Sequence, residues 1–299
     1  MFVHLHVHSE YSLLDGACRI KQLVDTAAER NMPAVAITDH GVMYGAIDFY
    51  KAAKARDIKP IIGCEMYMTT GSMRTKAPRH EQPIYHLILL AKNEVGYRNL
   101  MRLYTDAHLH GFHYKPRTDL EQLAKHADGL VCLSSCLGGE ISQHLLNGRL
   151  DDAKAAALRY REMFGNDFFL EIQDHGLPEQ KKVMRGMIAL SRETGIPLAA
   201  TNDVHYIHPS DHVVQDILVC IGTGKTLDDE ERLKFHTDQL YLKSADEMSR
   251  LFSHVPEAVA NTLRIAERCS LELQFGRSIL PEYRPLPEGV ANAEQYLRR

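Results

Sequence analysis

The chain has 299 residues, 44% of them hydrophobic and 25% charged, with a formal net charge of -4. This length supports one large α/β domain or two ordinary ones, and the absence of an apolar run long enough for a bilayer excludes a helical membrane span. The slight acidity means that any nucleic-acid contact must come from local basic patches or bound cations. Met1 leads straight into a strand-like run with no signal-peptide pattern, which sets the expectation of a cytoplasmic protein. Six cysteines (Cys18, Cys64, Cys132, Cys136, Cys220 and Cys269) lack framework spacing and read as reduced thiols, buried or metal-bound.

The first element is a predicted strand over Phe2 to Ser9. Alternation would put His4, His6 and His8 on one face, with Val3, Leu5 and Val7 on the other. A turn at Asp15-Gly16 leads to a helix over Arg19 to Arg30, then an apolar strand over Pro33 to Thr38 and a helix over Ala46 to Arg56. Lys59 to Met68 is the next strand. Thr69 to Pro83, with Arg74, Lys76 and Arg79, reads as a mobile basic loop. Ile84 to Ala91 is a strand carrying His86 near its start, and Asn93 opens a long helix to about His110. Strands over Gly129 to Ser134, Asp167 to Ile172 and Pro197 to Thr201 alternate with helices over Asp151 to Phe164 and Pro178 to Thr194. Helices over Asp211 to Ile221, Ala245 to Phe252 and Pro256 to Leu271 follow, then an extended tail bearing Pro281, Pro285 and Pro287. Ala293 to Arg299 reads as a helix cut off mid-turn, which raises the expectation of a longer polypeptide.

Seven strands alternating with helices predict a parallel β/α array, closed into a barrel at this length. No Gly-x-Gly-x-x-Gly loop follows any strand, and Gly222 to Thr226 lacks P-loop spacing. In such folds the loops at the carboxyl ends of the strands carry the chemistry. His6, His8, Asp15, His40, Glu65, Cys136, Asp203 and His205 all fall in or just after predicted strands; His86 fits less neatly. Nitrogen, oxygen and one sulfur suit Zn²⁺, Mn²⁺ or Fe²⁺ better than Mg²⁺ or Ca²⁺. Nine donors exceed what one ion uses, so the set predicts a cluster, with Glu65 suited to bridging two ions roughly 3.5 to 4 Å apart.

The segments His6-x-His8, Asp15-Gly16, Thr38-Asp39-His40-Gly41, Gly63-Cys64-Glu65, His86 to Asn93, Ser134-Ser-Cys136-Leu-Gly and Thr201-Asn-Asp203-Val-His205 resemble the PHP (polymerase and histidinol phosphatase) domain. More narrowly they resemble its form at the amino terminus of bacterial replicative DNA polymerase III alpha subunits. Tyr114 to Arg117 and Phe169 to Gly176 extend the match over essentially the whole chain.

The resemblance implies a distorted (β/α)7 barrel over residues 1–272 and a linker toward a polymerase palm over residues 273–299. It also implies three divalent ions (Zn²⁺, Mn²⁺ or Fe²⁺): one held by His6, His8, Glu65 and Asp203, one by Glu65, His86 and Cys136, and one by Asp15, His40 and His205. The implied reaction is 3′–5′ exonuclease cleavage at a DNA 3′ end by a hydroxide generated among ions that Asp15, Glu65 and Asp203 hold. Arg74, Arg79, Lys115, Arg117 and His175 are candidate substrate contacts, with Lys76 a further cation for steering the strand. The implied partners are DNA, the rest of the polymerase chain, the sliding clamp and other replisome subunits, with no membrane. Two alternatives stand beside this: a phosphomonoesterase of the histidinol-phosphatase type, and a metal-stabilised docking scaffold. Cys64 is expected to face away from the site, His4 to be structural, and Glu171 to support the ligands or touch substrate.

Overall fold

A computed structural model describes residues 1–13, 15–276, 278 and 283–298. Pro281 of the predicted tail and Arg299 at the end of the predicted last helix lie outside them. The strands are β1 (Ala34–Ile37), β2 (Lys59–Thr69), β3 (Ile84–Ala91), β4 (Phe112–His113), β5 (Lys115–Thr118), β6 (Leu130–Leu133), β7 (Phe168–Ile172) and β8 (Leu198–Ala200). They pair in the order β4-β5-β2-β3-β6-β7-β8, with β1 also on β2.

Residues 2–9 close the ring. His4 bridges Val35 of β1 and Val7 bridges Val204 just beyond β8. Backbone bonds from Ala36 N to His4 O (2.9 Å) and from Val204 N to His6 O (3.0 Å) fix the segment between them. Seven staves therefore surround one interior, as a (β/α)7 barrel requires, with β4 and β5 a hairpin added on the β5 side of β2.

The interior shows the closure directly. Val3, Leu5, Ala34, Ala36, Ile61, Ile88, Leu90, Val131, Leu133, Phe169 and Ala199, drawn from all seven staves, form one buried cluster with Ile265, Ala266 and Cys269. The last three come from the end of the helix Pro256–Arg268 and its cap, which seal one end of the barrel. Along the same faces lie Glu65 (four residues beyond Ile61), His86 (two before Ile88) and Glu171 (two after Phe169). One end of the interior is thus apolar and the other carries polar donors.

Two expectations need correction. The first concerns the opening strand. Val3 and Leu5 point inward, whereas Phe2 and Val7 join the outer core against the helices. A bend at His6 slips the alternation by one residue, in the manner of a bulge, so that His6 and His8 enter the same interior as Leu5. His4 stays outside, where its ring Nε2 donates to Lys243 O at 2.8 Å.

The second concerns strand direction. β3 runs antiparallel to both neighbours, with Tyr67 opposite His86 and Leu133 opposite Ile88. A parallel pair is usually joined by a helical crossover, and residues 70–83 contain no helix, so the chain returns antiparallel. The start of β3 consequently sits beside the far end of β2, which explains why His86 precedes its strand's apolar run. The helices match expectation more closely. Pro178–Thr194 begins on its proline and ends at Gly195 with φ of 71°, and Asn93 caps Glu94–Leu109 by accepting from Gly96 N at 3.1 Å.

His4 yields a prediction about stability. It is fully buried, its Nδ1 has no partner, and burial pushes its pKa down to about 4. The unfolded chain takes up this proton near pH 6.5 and the folded chain does not. Its contribution, on the order of 3 kcal/mol, is therefore present above pH 6.5 and lost as the pH falls toward 4. Urea-unfolding midpoints should drop between pH 7 and 5, and His4→Gln, which can still donate to Lys243 O, should show a shallower drop.

Candidate metal centre

The nine predicted side chains meet at the polar end of the barrel. His6 Nε2 and His8 Nε2 are 3.1 Å apart, and each lies 3.1 Å from Asp203 Oδ1. His40 Nε2 is 3.1 Å from Asp15 Oδ2, and the rings of His8, His40 and His205 come close enough to offer one nitrogen each to a single point. Cys136 Sγ is 3.8 Å from both His86 Nδ1 and Glu65 Oε1.

Glu65 joins these groups. Its Oε1 faces His86 Nδ1 at 2.6 Å and Cys136, while Oε2 faces His40 Nδ1 at 2.6 Å, His8 at 3.3 Å and His6 at 3.7 Å. The two oxygens of one fully buried carboxylate thus address different donor sets, the arrangement a bridging ligand needs.

Whether the set fits a metal can be tested on unpaired atoms. Glu65 Oε2 and His40 Nδ1 stand 2.6 Å apart, yet neither has a hydrogen-bond partner, and Asp15 Oδ1 and Asp203 Oδ1 are likewise buried and unpartnered. Buried polar atoms are normally paired. Donors that crowd together without aiming hydrogens at one another fit a cation between them.

Outer contacts aim the imidazoles. His6 Nδ1 donates to Glu171 Oε1 at 2.7 Å, and that carboxylate is itself held by Gln173 and Thr201. His205 Nδ1 donates to Asp203 O at 2.8 Å. His8 Nδ1 lies 3.0 Å from Ser12 Oγ, which accepts from His40 N at 3.1 Å and donates to Asp39 Oδ1 at 2.9 Å. Since the Ser12 proton is spent on Asp39, the hydroxyl can only accept from His8. All three rings therefore carry hydrogen on Nδ1 and turn Nε2 toward the centre, where any proton it holds can be given up to a cation. Ser135 and Asp203, with φ of 69° and 45°, are left-handed non-glycine residues at the site, a common place for such strain.

The charges suit the same reading. Burial works to raise Glu65, but His86 and His40 more than offset it and hold its carboxyl well below the usual range. Burial is likewise outweighed at Asp15, brought down to about 2 by His40, and at Asp203, held low by His6 and His205. His6 and His40 are in turn raised by the carboxylates around them despite burial. Protons on these two rings balance the carboxylates until a cation displaces them. Burial, and then Glu65, push the Cys136 thiol up, a setting in which coordination would be needed to remove its proton.

The five candidate substrate contacts do not gather here as a group. Arg117 is buried, and its Nε, Nη1 and Nη2 donate to Gly111 O, Gln82 Oε1, Met73 O and Thr75 O at 2.9 to 3.0 Å. It ties down the basic loop expected to be mobile, so its guanidinium is not available to a ligand. His175 is also buried; its Nε2 donates to Asn202 O and its Nδ1 accepts from Gln180, leaving no nitrogen for substrate. Arg74 and Arg79 are exposed and do not line the cavity beside the centre, whereas Lys115 does, 5.2 Å above the Tyr67 ring. Cys64 turns away toward Asp39 O, as expected.

Sequence reasoning missed Ser12 and gave Asp39 no role. The available signal was position alone: Ser12 stands four residues after His8 and Asp39 immediately before His40.

A PHP domain model matches residues 4–175, more than half the chain. The chain belongs to the PHP domain family. It is 52% identical over 99% of its length to the DNA polymerase III subunit alpha of Treponema pallidum, of which it covers 26%. The corresponding subunit of Borreliella burgdorferi is 50% identical over 99% of the chain, again with 26% of that protein covered. The chain thus spans about a quarter of the length of these relatives. Among solved structures, a two-domain protein from Bacteroides vulgatus containing a predicted PHP-like metal-dependent phosphoesterase aligns over 90% of this chain and 69% of its own, at 14% identity and a TM-score of 0.40.

Two predictions separate ligand support from loop anchoring. Ser12→Ala should lower divalent-metal affinity ten- to a hundredfold by competition with a chromogenic chelator, in the range typical of outer-contact changes. Arg117→Lys should leave carbonyls of the loop unpaired and cost roughly 2 to 4 kcal/mol in urea unfolding, while leaving divalent-metal affinity unchanged.

Proposed function

We propose that this domain hydrolyses phosphodiesters at DNA 3′ ends, a 3′–5′ exonuclease that holds three divalent ions and acts within a longer DNA polymerase III alpha chain. The observation that carries the reading is the convergence of nine donors, Glu65 at their centre, with unpartnered ligand atoms facing one another. The relatives' shared name supports the nucleic-acid context. In that setting the rest of the polymerase chain, the clamp and other replisome subunits are its partners, in the cytoplasm; no helix among the described residues is long and apolar enough to cross a membrane.

The assignment of residues follows the groups. His6, His8 and Asp203 would hold one ion, His86 and Cys136 a second, Asp15, His40 and His205 a third, with Glu65 shared. Bound divalent ions supply Lewis acidity toward a phosphoryl oxygen and lower the pKa of a coordinated water. The side chains set access. His6, His8 and Glu65 are sealed in the barrel, while Asp15, His40 and His86 are 17 to 26% exposed, so substrate enters on their side. Asp15, ionised and on this open side, orients the attacking water. The Ser135 hydroxyl donates to Glu65 Oε1 at 3.0 Å and so helps hold that carboxylate; in this reading water is the nucleophile and no protein group need be.

The test is digestion of 3′-labelled single-stranded and mismatched primer DNA with Mn²⁺ or Zn²⁺. Wild type should release 3′ nucleotides, and Asp15→Asn and Asp203→Asn should each lower the rate at least a hundredfold. Activity surviving both substitutions would sink the assignment. Bound metal without cleavage would indicate a scaffold, and turnover of small phosphomonoesters alone would indicate a phosphatase.

A further inference from the structure

Beside the centre lies a cavity of about 330 Å³ to which Asp15 and His40 both contribute side chains. Most of its other lining is aromatic and apolar, with Lys115, His108 and Thr223 the polar exceptions. Tyr67 lies nearly parallel to the His40 ring at 6.3 Å, and Phe235 lies beside the His205 ring at 6.0 Å. These two imidazoles and Asp15 are the donors assigned above to one ion, so an aromatic side chain flanks that position on the His40 side and another on the His205 side. Tyr44 also lines the cavity, and the ammonium of Lys115 sits 5.2 Å from the Tyr67 ring.

Several of these side chains are left in water at a cost. Tyr44 is 53% and Phe235 43% exposed, although large apolar groups gathered around one opening usually mark a contact surface. The cavity's size is at the lower end for ligand sites, roughly 300 to 1,000 Å³, which admits one nucleoside and not an oligonucleotide. Its chemistry is selective in kind. Aromatic faces recognise any nucleobase by stacking, and an aliphatic phosphate ester would leave them unused.

We propose that this cavity is a nucleobase subsite, in which the base of the nucleotide being processed stacks against the exposed rings of Phe235 and Tyr44, with the buried Tyr67 backing His40, while its phosphate reaches the donors at Asp15 and His40. Lys115 places a positive charge next to the backbone. The inference rests on the phosphodiesterase reading for its phosphate but on the cavity alone for its base. Because the contact is stacking, the subsite accepts purines and pyrimidines alike and selects for a base over none. It also confines recognition to one terminal residue, so cleavage proceeds from an end.

The test uses the chain loaded with Zn²⁺ and a single strand carrying 2-aminopurine at its 3′ terminus. Binding should quench the fluorescence through stacking, and a strand ending in an abasic residue should compete about tenfold less well than one ending in a base. Phe235→Ala should weaken binding by about tenfold, about 1.4 kcal/mol, and reduce the quench. Phe235→Leu, which keeps an apolar side chain, serves as a second variant if alanine impairs folding and should lose the quench as well. Equal competition by the abasic strand, or a quench unchanged in both Phe235 variants, would overturn the subsite. Cleavage without base dependence would overturn the subsite and leave the phosphodiesterase standing; base-dependent quenching without cleavage would do the reverse.

Discussion

A carboxylate at the centre of a barrel is the constraint on which the structure turns. Glu65 is fully buried, and an isolated charge there would be too costly to keep. It stays ionised because histidines arrive from separate staves: His86 and His40 lie 2.6 Å from its two oxygens, and His8 and His6 lie just beyond. Each histidine then needs its other nitrogen fixed, which draws in Glu171 for His6 and the Ser12–Asp39 pair for His8. Pairing of this kind is weak as a source of stability, since the ions must first be stripped of water. Its value lies in poising lone pairs around a common space.

The barrel supplies those partners by two departures from regularity. The slip at His6 moves two imidazoles into an interior that strict alternation would deny them, given that Val3 and Leu5 already point there. The reversal of β3 brings His86 alongside Tyr67 at the functional end, although it opens its strand. Local irregularity at a functional site is where evolved chains commonly depart from the simplest pattern. The apolar half of the same interior, sealed by Ile265 and Ala266, keeps the geometry rigid beneath the polar half.

Much of this was legible in the residues, because apolar runs and helix stop signals report local physics. All seven staves and the long helices were placed within a few residues, and the nine side chains that meet at the polar end were named. What escaped depends on tertiary context. The direction of β3 is invisible in Ile84 to Ala91, whose pattern is the same in either sense. The burial of Arg117 was unreadable because its four acceptors come from Met73, Thr75, Gln82 and Gly111, none of which announces itself. A cation in a basic-looking stretch reads as solvated until its carbonyl partners are known. The β4–β5 hairpin was missed for a related reason: its strands have 2 and 4 residues, too short for any periodicity to show.

Exposure then divides the site by role. His6 and His8 have no access to water, and their Nδ1 atoms are fixed by Glu171 and by Ser12, whose hydroxyl accepts twice and donates once. The donors on the Asp15 and His40 side open onto an aromatic cavity and are less fully tied. A closed half that fixes ligand geometry and an open half that admits a substituent are different requirements, and one barrel end meets both because its staves end at different heights. β2 runs on to Thr69 and carries Tyr67 out beyond Glu65, whereas β8 stops at Ala200 and gives way to the irregular segment bearing Asp203 and His205. The length of β2 thus makes one wall of the cavity, and the shortness of β8 leaves room for Phe235 to make the other.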